Sequence, residues 1–131
     1  MILNKMAAEW QTRLMVELFA FLGEGTTVPN HRAWIGPPDA RFYLRHATVL
    51  FDGNAYQGVV LANHECEDAE KFKWFMHWLE KVCDDSRDIQ AIESESVMES
   101  WLAGHLVMSG WRVKQNICPN NVTLVRRKDK A

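Results

Sequence analysis

His64, Glu65, Cys66 and Glu67 stand in a row where a β-prone run gives way to a helical one, and side chains of these types can do chemistry. A carboxylate whose pKa is raised toward neutrality by burial can take a proton from an amine, so Glu65 and Glu67 are the candidate catalytic bases. The competing account is that acids in the first turn of a helix are favoured by its dipole alone. His64 and Cys66, two apart on a strand, point to one side and offer two ligands to zinc. Such a site needs more ligands, and His77, Cys83, His105 and Cys118 contain no pair at ligand spacing, so no metal is expected. His105, between Leu102 and Leu106, reads as a packing residue. Ser94 and Ser96 lack His and Asp companions, and helix capping accounts for them.

Tryptophan offers a different chemistry, that of adhesion. The six indoles are Trp10, Trp34, Trp74, Trp78, Trp101 and Trp111, more than a small domain easily buries, and Trp is enriched among interface anchors. Trp34, on a proline-containing segment, and the one-turn stripe Trp74/Trp78 are the candidate interaction residues. Core filling is the competing use of the same side chains.

The elements that must position these residues follow from hydrophobic spacing. Leu3, Met6, Ala7, Trp10, Leu14, Leu18, Phe21 and Leu22 recur at three- and four-residue steps, which predicts an amphipathic helix over 1–22. Residues 23–39, with Pro29, Pro37 and Pro38, read as an irregular loop. Residues 40–127 hold the sheet and the remaining helices. Within them Asp52-Gly53-Asn54 divides two β-prone runs and predicts a tight hairpin. Asp68 precedes a helical run lined by Phe72, Phe75, Met76, Leu79 and Val82, and Asp88–Ile92 reads as a short strand. Ser96-x-x-Glu99 has the form of a capping box opening a helix that Ser109-Gly110 stops, and a hairpin from Trp111 to Val125 closes the chain.

Bulk composition bounds the rest. With 131 residues, 47% hydrophobic and 24% charged, the chain is expected to form one soluble domain, 1–131. A net charge of −2 argues against binding nucleic acid through bulk phosphate neutralisation, and Arg126, Arg127, Lys128 and Lys130 read as a solvated basic end. Three cysteines without CxxC spacing fit a reducing cytoplasm. Lys5, Glu9, Arg13 and Glu17 interrupt the N-terminal apolar run, so neither a signal peptide nor a membrane span is expected there.

The order helix, loop, strand, strand, helix, strand, helix, strand, strand resembles the GCN5-related N-acetyltransferase (GNAT) family over roughly Ala40 to Arg127. The resemblance implies an α/β (α+β) fold, a mixed and mainly antiparallel sheet with helices on both faces, which splits between two strands to admit acetyl-CoA. Family members commonly end the second of these helices in Tyr-x-Lys-x-Gly-Phe; here Leu106 takes the Tyr place, Met108 the Lys place, and Trp111 keeps the aromatic after Gly110. The family's glycine-rich pyrophosphate loop is also missing, because Leu61 to Glu70 contains no glycine and carries Glu65, Glu67, Asp68 and Glu70. Two like charges about 5 Å apart repel by about 3 kcal/mol at an effective dielectric constant near 20, enough to offset a helix dipole.

Small acetyltransferase-like proteins without that loop occur among bacteriophage accessory and virion proteins, which this chain resembles. The resemblance therefore implies a catalytically degenerate domain without a cofactor, acting in the host cytoplasm or virion as a protein-interaction module or homodimer. The alternative is an acyl-CoA-dependent N-acyltransferase using acetyl-CoA, with Glu65 or Glu67 taking the amine proton.

Overall fold

The structure, a computed structural model, describes residues 8–24, 30–97, 100–118 and 121–128. Their elements are α1 (Glu9–Glu24), β1 (Arg32–Ile35), β2 (Arg41–Phe51), β3 (Asn54–Glu65), α2 (Ala69–Asp85), β4 (Ala91–Val97), α3 (Ser100–Met108), β5 (Arg112–Cys118) and β6 (Asn121–Arg127). The six strands form one mixed sheet in the order β1-β2-β3-β4-β6-β5. Every neighbouring pair is antiparallel except β3 and β4, which α2 connects as a crossover. The chain is thus an α+β domain.

The β2–β3 hairpin forms where expected. Phe51 pairs with Asn54, and Asp52 and Gly53 take positive φ of 50° and 77°, the two-residue turn that matches strand twist. Between Tyr43 and Leu44 the register shifts, so that Tyr43 faces Asn63 while Leu44 faces Leu61. That bulge lets β3 run on to Glu65, four residues beyond its last pair with β4, Leu61 to Ser94.

One layer of helices covers the sheet. Leu14, Leu18 and Phe21 of α1, Phe72, Phe75, Met76 and Leu79 of α2, and Leu102 and Leu106 of α3 share a core with Phe42, Leu44, Val59, Leu61, Ile92 and Leu124 of the strands. Phe42 stacks on Phe75 with centroids 3.9 Å apart and meets Phe72 edge-on at 5.4 Å. The opposite face has a smaller cluster drawn from strands alone, Val49, Phe51, Val60, Ala91 and Val125. The expectation of helices on both faces is therefore corrected for the described residues, since every described helix presents its apolar stripe to the same side. On the far face Arg112 of β5 reaches Asp52 at the hairpin tip (3.2 Å) and lies over the Phe51 ring.

Three further expectations are corrected. The segment 23–39 is not wholly a loop, because β1 pairs with β2 inside it, and Gly36 after it sits at φ 99° where a Cβ would strike Ala40 O at 2.3 Å. The strand placed at Asp88–Ile92 is β4, Ala91–Val97, and α3 begins only at Ser100, so Ser94 and Ser96 belong to a strand rather than a helix cap. Alternation explains the shift, since Ile92, Ser94 and Glu93 find partners only across the sheet: Glu93, 7% exposed, bonds Lys114 Nζ at 2.6 Å. Glu99 and residues 1–7, part of the first helix expected over 1–22, lie outside the described residues. So does Lys130, but Arg126 and Lys128 are no solvated end: Arg126 forks from β6 onto Asp84 at 2.6 and 2.7 Å and Lys128 Nζ donates to Ser86 O, while Arg127 is exposed as expected.

The stop of α3 follows the sequence closely. Gly110 adopts φ 99°, its N–H donates to Val107 O, and Trp111 N–H donates to Leu106 O, the paired bonds that close a helix on a left-handed residue. Trp111 is then buried, with its indole N–H bonded to Glu80 of α2 at 3.1 Å.

Candidate functional site

Two groups of predicted residues meet near the end of β3. Glu65 is the last residue of that strand and lies opposite Arg41 in register, so its carboxylate pairs with the Arg41 guanidinium. The same guanidinium stacks over Trp34 with its carbon 4.4 Å from the ring centroid, and Trp34 also touches Tyr43. The structure thus joins Glu65 to Trp34 through Arg41, on the sheet face away from the helices. Arg41 was not among the sequence candidates, although its place two residues before Tyr43 in an alternating run put it on one face with that ring.

Glu67 lies exposed in the short connection to α2. Next to it, Asp68 caps that helix: its Oδ1 accepts from Glu70 N–H at 2.9 Å and Lys71 N–H at 3.2 Å. Those amides are the ones a helix start offers to an anion. A carboxylate of the chain itself is already seated on them.

His64 and Cys66 do not face one another as ligands. The His64 ring meets the edge of Phe72 at 4.6 Å on the helix side, while Cys66 lies beyond the strand, its Sγ–H directed at Asp68 O, 3.5 Å away. Burial raises the Cys66 thiol above its ordinary value, which keeps it protonated and a poor ligand at neutral pH. Among the described residues no group of three or more His, Cys, Asp or Glu side chains is placed to hold a metal ion.

The parallel pairing of β3 and β4 ends at Leu61 and Ser94. On the helix side Phe72 touches both His64 of β3 and Trp101 of α3. On the far side Arg45 of β2 reaches over β3 to Glu95 of β4, with Nη2 3.1 Å from Oε1. Leu106 is fully buried.

The remaining tryptophans divide. Trp74 and Trp78 are half-buried; Trp74 meets Trp10 of α1 edge-on at 5.0 Å and Trp78 at 6.3 Å, so the stripe forms a seam between α1 and α2. Trp34, 38% exposed, and Trp101, 43% exposed, are the indoles open to solvent. Two surface cavities, of about 490 and 570 Å³, lie elsewhere, the first around His46, Gln57 and Asp88 and the second under the hairpin tip and β5; neither includes Glu65 or Glu67. No described helix is long and apolar enough to cross a membrane. No protein-family model matches the chain, and no curated protein is significantly similar to it.

Proposed function

We propose that this chain is a catalytically silent domain of the GNAT type, working as a protein-interaction module, either as a homodimer or attached to a host or virion protein of a bacteriophage. The single observation that carries the reading is the Asp68 carboxylate seated on the amides of Glu70 and Lys71, where a cofactor pyrophosphate would have to bind. The strand order, with a lone parallel pair spanned by α2 and leaving register at its C-terminal ends, supports a scaffold of that type. The Arg45–Glu95 pair, which spans from β2 over β3 to β4 beyond that point, supports loss of that end's use as a substrate slot. The pairing of Glu65 with Arg41, on the face away from α2, supports a structural rather than a proton-abstracting role.

Isothermal titration and thermal shift with millimolar acetyl-CoA test the reading. No heat and no stabilisation are expected, together with a defined oligomer or a captured protein on sedimentation and pull-down. Saturable acetyl-CoA binding, abolished by charge reversal of Lys71 or by added coenzyme A, would instead support the acyltransferase reading with Glu65 or Glu67 as base. A strict monomer that captures nothing would also defeat the proposal.

A further inference from the structure

We propose that the outer edge of β1 is a docking strand for an extended, acidic segment of a partner protein, an inference that rests on the interaction-module reading and names the partner's chemistry. β1 is the end strand of the sheet and has β2 as its one strand neighbour among the described residues. His46 N–H bonds His31 O, and Ala33 faces Leu44 and Ile35 faces Phe42, so alternation along the antiparallel pair turns the N–H and C=O of Arg32 and Trp34 away from β2. An added strand would find those four groups waiting, the usual basis of recognition by strand addition.

The side chains on the same edge specify charge. Arg32 stands directly opposite Arg45 in register, a like-charged cross-strand pair that folding alone disfavours. Arg45 is paired with Glu95 and Arg41 with Glu65, whereas Arg32, exposed on that face, has no carboxylate among the described residues. Arg45 also holds a buried Nε–H without a hydrogen-bond partner. Trp34, stacked under Arg41, supplies the amphipathic anchor beside them. A segment alternating acidic and apolar residues meets the open edge and Arg32, with its carboxylates on the arginine face and its apolar residues on the helix-covered face. A second copy of β1 would bring another Arg32 to that face, so like charge opposes self-pairing there.

The test uses the intact protein and eight-residue peptides that alternate Glu with Val or Tyr. Two controls accompany them, one with Lys in place of Glu and one N-methylated at every second residue. Calorimetry should show saturable binding of the acidic peptides, weakened about tenfold or more in Arg32→Glu and several-fold on raising salt from about 50 to 300 mM. The amide resonances of Arg32 and Trp34 should shift, and N-methylation on the pairing edge should abolish binding. Arg32→Glu, which replaces a like-charged cross-strand pair with an oppositely charged one, should keep the fold, with a thermal midpoint no lower than that of the wild type.

The proposal is overturned if none of the acidic peptides binds, if Lys peptides bind as well, or if binding survives N-methylation. A single-stranded oligonucleotide that binds tighter than any peptide overturns it too, as does a dimer that dissociates in Arg32→Glu. Acetyl-CoA binding would defeat the proposed function without altering the peptide titration. Failed peptide titrations alongside silent acetyl-CoA titrations would defeat only the docking edge.

Discussion

Single charges inside this domain are held by specific partners, and their partners decide how it responds to pH. The Arg126 fork beside Asp84, with a further ion pair from Arg126 to Glu80, holds the Asp84 carboxyl below the usual carboxylate range. A depressed carboxyl contributes stability above its unfolded pKa and loses it as pH falls through the folded value. The urea midpoint should therefore drop on acidification below about pH 4, and Arg126→Met should flatten that part of the profile. A profile unchanged by the substitution would remove Asp84 as its origin. Cys83 behaves as a core hydrophobe: burial pushes its thiol up to about 12, so peptide mapping after iodoacetamide at pH 8 should find it unmodified in the native protein and modified in urea. Lys114 neutralises the buried Glu93, and Lys114→Met should cost about 2 kcal/mol. That is less than the 3–5 typical of a fully buried pair because Lys114 is partly exposed, and adding Glu93→Leu should recover much of the loss in chemical denaturation. Neither Arg126 nor Glu93 was legible as an interior charge, because a charged letter in a strand gives no hint of the opposite charge waiting on another element.

At the scale of elements, ends were more legible than lengths. Asp68 and Gly110 mark helix termini by local chemistry, a carboxylate for orphan amides and a residue free to adopt positive φ, and both do so here. Asp68→Ala should lower stability by about 1 kcal/mol while Asp68→Asn keeps most of it. Comparing two glycines separates strain from collision. Gly110 has open space where a Cβ would go, so Gly110→Ala meets only the backbone penalty of about 1–2 kcal/mol. Gly36→Ala adds a backbone collision with Ala40 O and should be distinctly worse in the same denaturation assay. The extents of β1 and β4 were misjudged for one shared reason. Each is completed by pairing with another strand, β1 with β2 and β4 with β6, and a window of neighbouring letters does not contain those partners.

Among its described residues the whole molecule is a sheet with one helical cover, and its function, as proposed, follows from what that arrangement leaves open. The covered side is tightly keyed: Phe42, in contact with Phe75 and Phe72, should lose about 3–5 kcal/mol on truncation to Ala, measurable as a large fall in the denaturation midpoint. The uncovered side carries Trp34, Arg41 and Glu65 together, which neither the tryptophan count nor the carboxylate motif brought into one place. Sequence alone determined that the chain is an α+β domain with a tight Asp-Gly hairpin, a capped central helix and an acidic, glycine-free turn after β3, because each depends on residues within a few positions of one another. Only the tertiary structure decided that the helices share one face, that Trp74 is used up in a seam with Trp10, and that Arg41 links the candidate base to the candidate anchor. Those outcomes depend on which strand lies beside which, and strand order is set by the packing of the whole core rather than by any local run of residues.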